Sequence, residues 1–253
     1  VILGSVDGHS RWFSSRALRE GGVDANYPDP HPGVSFFERD PLTNEPLGTG
    51  REKAGGHIEA EFIPGDKAAY RERFVNWLPR ASASGLTGVF DAWAGAPSEE
   101  EAYEIWHSLS ESGDLSLRVF ASVRENDAAD RIAAQFKRFE QSYSSQLIRP
   151  EAVKLAADGV PEGHTAFLLT PYVDSTNEDF GQPMISKANL TANVTTYFSQ
   201  DIPVHIHAIG GAAVRMSLDA IESARATTGN ESVRATICLL YTSPSPRDEC
   251  SSR

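Results

Sequence analysis

The segment Val204-His205-Ile206-His207-Ala208-Ile209-Gly210 alternates two histidines with apolar residues. Period two sends both imidazoles to one face of a strand. In a barrel strand one face points into the lumen and the functional end is the C-terminal one, which favours His207 over its neighbour His205. A neutral imidazole there binds a divalent metal when its other ring nitrogen is held by an acceptor; otherwise it is a core histidine with a hydrogen-bond partner. The second signal is Lys154, inside Ala152-Val153-Lys154-Leu155-Ala156-Ala157. Lysine is seldom buried without a partner or a purpose, and burial disfavours its ammonium form. The neutral amine either takes up carbon dioxide, becoming an anionic oxygen ligand, or forms a Schiff base with a carbonyl substrate. The plainer alternative is a strand-end lysine that reaches back to water or pairs with Asp158.

A weaker cluster, Asp7-Gly8-His9-Ser10-Arg11-Trp12, joins turn residues to a His and a Trp. His9 and Trp12 are the substrate-facing candidates there, although a turn entering a helix capped by Ser14 or Ser15 reads the same way. Asp158 follows the Lys154 run directly, where a barrel carries its substrate-binding loops; with Gly159 it is equally ordinary turn chemistry. His31, His57, His107 and His164 occur singly and receive no role.

Such residues need rigid elements to hold them. Apolar runs at 86–92, 115–123, 152–157, 203–209 and 233–237 read as buried parallel strands. Tyr70, Phe74, Trp77, Leu78 and Ala81 share one helical face, and Ser98 with Glu101 forms a capping box ahead of Ala102, Ile105, Trp106 and Leu109. Ile132, Phe136 and Phe139 mark a third helix. Leu190, Val194, Tyr197 and Phe198 mark a fourth, capped near Ser186, and Val214, Leu218 and Ile221 a fifth. This β-α alternation means an α/β protein with a parallel sheet, closed as a barrel or open and doubly wound. No glycine-rich phosphate loop follows any candidate strand, which favours the barrel. Residues 25–65, rich in Pro, Gly and charge, read as an excursion from one domain spanning 1–236, and 159–187 as a long loop on the site face.

Composition removes several function classes. With 253 residues, one large α/β domain is the default. Hydrophobic residues make up 40%, yet no run approaches the roughly 18 apolar residues of a membrane span. A net charge of −12 with scattered basic residues argues against nucleic acid and anionic membranes. The only cysteines, Cys238 and Cys250, lie near the end, so any metal takes nitrogen and oxygen ligands.

Four blocks in order, DGHSRWFSSRAL at 7–18, GLTGVFDAW at 85–93, VKLAADGVPEGHTAFLLTPYVD at 153–174 and VHIHAIGGAAVRMSLDAIE at 204–222, resemble amidohydrolase family 3. This is the metal-dependent group that includes N-substituted formamide deformylases. The resemblance implies a partial (β/α)₈ TIM barrel without its first and last strands, one or two divalent ions with Zn²⁺ expected, and hydrolysis of carbon–nitrogen bonds in a small-molecule amide or cyclic amide. It further implies an H-x-H on the first strand, a carboxylated lysine on the fourth, histidines on the fifth and sixth, and an aspartate proton shuttle on the eighth. Lys154 matches the lysine and His207 the fifth-strand histidine, with His205 beside it; the other ligands and the shuttle have no counterpart. Gly211 stands where the family commonly has Asp.

The sequence from Cys238, CLLYTSPSPRD, resembles translated sequencing adapter. The expectation is therefore an internal fragment of a cytoplasmic enzyme, inactive alone, with a non-native, unstructured tail over 237–253. The intact protein is expected to be able to form a homo-oligomer. Two rival functions stand beside this one: a Schiff-base lyase of aldolase type centred on Lys154, and a non-catalytic barrel used as a binding module.

Overall fold

The computed structural model describes residues 1–6, 8–63, 65–94, 98–173 and 178–240. The chain begins with a small antiparallel sheet formed by β1 (Ile2–Gly4), β2 (Ser10–Phe13), β3 (Phe37–Arg39) and β4 (Pro46–Arg51), in the order β1-β2-β4-β3. Two short helices pack on it, α1 (Ser15–Glu20) and α2 (Gly56–Phe62). Their core is Phe13, Ala17, Leu18, Val23, Phe37, Ala54 and Ile58. Ser14 caps α1, its Oγ accepting from Ala17 N at 3.3 Å. Gly55 has φ +79°, and a Cβ there would strike the Phe13 ring, so both conformation and packing demand glycine.

This sheet corrects the domain reading. Residues 1–24 do not begin a barrel; β2 pairs with β4 through Ser10↔Arg51 and Trp12↔Thr49, so both sides of the boundary drawn at residue 25 share one sheet. Strands of three to six residues, one of them Pro-Leu-Gly-Thr-Gly-Arg, carry too little apolar alternation to announce themselves.

From Lys67 onward helices and strands alternate as expected. They are α3 (Lys67–Ala83), β5 (Gly88–Asp91), α4 (Glu99–Glu111), β6 (Arg118–Arg124), α5 (Ala129–Tyr143), β7 (Ile148–Ala156), α6 (Lys187–Phe198), β8 (Val204–His207), α7 (Gly211–Thr228) and β9 (Ala235–Cys238). The five strands are parallel and lie in chain order, β5-β6-β7-β8-β9. A doubly wound sheet reverses direction at a switch point. No reversal occurs among the described strands, and the sheet has the form of a parallel half-barrel. The helices bury Tyr103, Trp106, Phe136, Phe139, Val194 and Tyr197 against Val119, Ala121, Val123, Val153, Leu155, Val204 and Ile206. Strand alternation therefore turns Phe120, Arg124, Lys154, His205 and His207 to the opposite, concave face.

The tail boundary also shifts. Ile237 and Cys238 belong to β9, in register with Ile206 and His207, so the line drawn at 237 cuts through a strand. Unpaired backbone groups along the edge of β8 account for the pairing. Residues 241–253 lie outside the described residues. Among the described residues no helix is long and apolar enough to cross a membrane.

Two contacts at helix ends lead to measurable consequences. Ser98 Oγ accepts from Glu101 N at 3.2 Å and donates to Glu101 Oε2 at 2.8 Å, so the expected cap forms with the carboxylate on the hydroxyl. Ser98→Ala should cost about 1 kcal/mol, lowering Tm by about 2–4 °C in a chain of this size, as calorimetry would read. Glu125, just past β6, accepts from Asn193 Nδ2 and Tyr197 Oη of α6, each at 2.9 Å. Burial raises its pKa above the ordinary value of 4.5. The folded state then holds the proton more tightly than the unfolded one, so this stability is present below pH 4.5 and is lost as pH rises through the folded value. Glu125→Gln should accordingly raise the urea midpoint relative to wild type at pH 7, with the gap closing at pH 4.

Candidate active site

The concave face is built in rows. Register places Arg124, Lys154 and His205 side by side on β6, β7 and β8, and Ala156, His207 and Cys238 one row nearer the C-terminal edge. Lys154 is 6% exposed and its Nζ donates to Cys238 Sγ at 3.4 Å. Burial holds its pKa below the usual lysine value, with Cys238 opposing the shift.

Asp158, a substrate-binding candidate in the sequence that read equally as turn chemistry, borders the cavity and is hydrogen-bonded within the fold. It is 1% exposed, and its carboxylate accepts from Phe167 N at 2.9 Å, Ile209 N at 3.0 Å and Gly210 N at 2.8 Å. It thus locks the loop after β7 to the turn after β8. Gly210 serves the same joint, since a Cβ there would overlap the Phe167 backbone carbonyl.

His207 Nε2 lies 3.0 Å from the Gly159 carbonyl, which can only accept, so the proton sits on Nε2 and Nδ1 keeps its lone pair. Burial lowers the pKa of His207, which favours this neutral form. His205 lies one row away, stacked on Phe90 with centroids 4.9 Å apart, and burial pushes its pKa down to about 4. It opens on a separate cavity of about 290 Å³ with Phe120, Arg149 and Thr236, so the H-x-H pair is divided between two spaces.

The small sheet supplies the opposite wall. The His9 ring lies 6.3 Å from that of His207, and its Nδ1 is 2.8 Å from Glu52 Oε2. The other Glu52 oxygen accepts from Thr165 Oγ1 at 2.7 Å. Glu52 holds φ at +51°, an uncommon conformation for a residue with a side chain, and a Cβ on Gly159 would collide with Thr165 and crowd the Glu52 carboxylate. Trp12 is 45% exposed and does not line the cavity; alternation along β2 turns it away from Arg11, which does.

His9, Arg11, Glu52, Lys53, Glu59, Trp93, Arg124, Lys154, Asp158, Met184 and His207 surround a cavity of about 680 Å³. The sequence reading missed Glu52, Lys53 and Arg124. Arg124 was visible by the same sign as Lys154, a charge within an apolar strand; Glu52 carried none, because its partners are 43 and 113 residues away.

Lys154 and His207 offer two nitrogen donors suited to a divalent metal, one a buried amine whose pKa lies below the usual lysine value and one an imidazole with its tautomer set. They fit part of a metal centre. Among the described residues no group of three His, Cys, Asp or Glu is close enough to complete it.

The family model described as "Amidohydrolase family" matches residues 1–250. The chain belongs to the amidohydrolase family. The chain is 29% identical over 217 residues to the exoenzymes regulatory protein AepA of Pectobacterium carotovorum subsp. carotovorum, covering 84% of this chain and 44% of that protein. It is 26% identical over 226 residues to the candidate amidohydrolase YtcJ of Bacillus subtilis strain 168, covering 88% and 40%. The fold of this amidohydrolase chain matches crystal structures of uncharacterised metal-dependent hydrolases. For the protein of Pyrococcus horikoshii OT3 the TM-score is 0.61 at 20% identity, covering 88% of this chain and 42% of that one. For that of Pyrococcus furiosus it is 0.60 at 21%, covering 89% and 44%. The chain spans less than half the length of each of these proteins.

Proposed function

We propose that the 680 Å³ cavity is part of the centre of a metal-dependent hydrolase that cleaves a carbon–nitrogen amide bond in a small molecule. One observation carries the reading: a buried Lys154 amine, its pKa lowered by desolvation, shares the concave face with His207, whose Nε2–H is fixed on the Gly159 carbonyl. Carboxylated Lys154 and His207 Nδ1 would hold one or two divalent ions, with Zn²⁺ the expected one. The half-barrel would belong to a (β/α)₈ barrel, and the missing ligands and proton shuttle to the part of the relatives' length that this chain does not span.

When bound, the metal supplies a low-pKa water and a polarised carbonyl. This chain's residues do the holding. Gly159 sets the His207 tautomer, Asp158 fixes the two loops that meet at the site, and Glu52 aims His9 at the cavity. The chain alone should be inactive, because two donors cannot hold a catalytic ion with an open position.

Carbon-13 NMR in labelled bicarbonate tests the reading. A carbamate resonance that disappears in Lys154→Met is expected, with cobalt binding strengthened by bicarbonate. The same buried amine also supports a Schiff-base lyase. Borohydride trapping of a carbonyl compound on Lys154, seen by mass spectrometry without any carbamate signal, would replace the hydrolase.

A further inference from the structure

His9 and His207 come from different sheets and meet across one cavity. His9 stands one residue before β2, where a backbone bond of 2.7 Å from Glu52 N to His9 O extends the ladder between β2 and β4. His207 ends β8. Both line the 680 Å³ cavity, with ring centroids 6.3 Å apart and planes inclined at 43°.

Each ring has one nitrogen committed to an acceptor. His207 Nε2 donates to the Gly159 carbonyl at 3.0 Å, and a carboxylate oxygen of Asp158 lies 3.8 Å from the same atom. His9 Nδ1 lies 2.8 Å from Glu52 Oε2, and because a carboxylate only accepts, the proton is on Nδ1. The neutral rings therefore carry their lone pairs on His9 Nε2 and His207 Nδ1. An imidazole that ligates a metal almost always has a carboxylate or carbonyl on its other nitrogen, which fixes the tautomer and makes the ligating atom more basic. This fold builds such a partner for both rings. Glu52 is set in place by an uncommon backbone, φ +51°, with its second oxygen held by Thr165 Oγ1, and strain of that kind persists only where the surroundings enforce it.

The spacing suits a shared ion. A metal–nitrogen bond of about 2 Å, with about 1 Å from nitrogen to ring centre, puts two imidazoles on one ion no more than about 6.5 Å apart. The observed 6.3 Å lies inside that limit. Tetrahedral bonding would bring the rings about 1 Å closer and draw the small sheet toward β8.

We propose that His9 and His207 form a two-imidazole clasp for one divalent transition-metal ion, with His9 Nε2 and His207 Nδ1 as donors and Glu52 and Gly159 as the groups that orient them. Imidazole suits zinc and copper, whereas manganese and magnesium favour oxygen ligands. Two donors do not complete a catalytic centre, so the clasp is a binding device that joins the small sheet to β8. It shares His207 with the hydrolase reading and rests on that reading only for the reaction such an ion would serve. Binding to the clasp needs no carbamate.

Calorimetric titration of the EDTA-treated 253-residue chain with zinc chloride, in buffer freed of carbon dioxide, tests the clasp. One ion per chain is expected, with copper held more tightly and manganese far more weakly. Nitrogen-15 NMR should place the zinc-induced shifts on His9 Nε2 and His207 Nδ1. H9Q should weaken zinc binding at least about 100-fold, and E52Q, which alters only the orienting partner, about tenfold. The double variant C238S/C250S, which removes both thiols, should bind zinc as wild type does. H9Q keeps a donor for Glu52 at a side chain that is 32% exposed, so it decides the matter if H207Q fails to fold by circular dichroism. Zinc binding that survives H9Q, that is lost with the thiols, or that is absent at millimolar concentration would overturn the proposal. Zinc on the clasp without a carbamate signal would leave this inference standing and the hydrolase reading not; a Lys154 carbamate with zinc indifferent to H9Q would do the reverse.

Discussion

Asp158→Ala is expected to bring the chain close to unfolding at room temperature. The substitution strips the acceptor from the backbone N–H groups of Phe167, Ile209 and Gly210, in a place where the residue is 1% exposed. A buried donor left unsatisfied costs about 1–3 kcal/mol. Three of them approach the whole stability of a typical domain, about 5–15 kcal/mol. Asp158→Asn should fall between the two, because the amide oxygen still accepts while its NH₂ faces a backbone donor. Urea midpoints for the three proteins should rank Asp, Asn, Ala. An Ala variant as stable as wild type would mean that the loop after β7 is not held by this carboxylate.

Lys154→Met should separate stability from metal affinity. The amine is buried with only a thiol for a partner, and leaving a polar group poorly compensated costs about 1–3 kcal/mol in mutational series. Methionine removes that cost at similar volume, so Tm should rise by a few degrees. Losing even a residue that supports a metal ligand typically costs about 10–100-fold in affinity, so losing a ligand should weaken cobalt binding by at least about 100-fold. Paired melting and cobalt titrations read both effects. A variant that melts lower and binds cobalt normally would show Lys154 to be a packing residue and no more.

Which features the sequence disclosed follows from the range of the interactions behind them. The strands from β5 to β9 and the helices between them rest on contiguous apolar runs and local caps, so Ser98, Ser186 and the stripe through Ile132, Phe136 and Phe139 were readable one element at a time. Lys154 and His207 stood out because charge and imidazole interrupt such runs. The small sheet was hidden, since its strands are short and β4 owes its shape to glycines. The grouping of His205 with His207 followed correctly from period two, but a common face is not a common cavity. Asp158 was noticed for its place in the loop, whereas its three partners are backbone groups that no side-chain pattern reveals.

The Glu52 carboxylate joins His9 in the small sheet to Thr165 in the loop after β7. Those two contacts couple the small sheet to the loop that borders the parallel one. Opening the small sheet would break the Glu52–Thr165 hydrogen bond beside Gly159, whose carbonyl sets the His207 proton. A compound bound deep in the half-barrel would therefore slow amide exchange in β2, and the antiparallel sheet serves as a gauge of how well the parallel one is occupied.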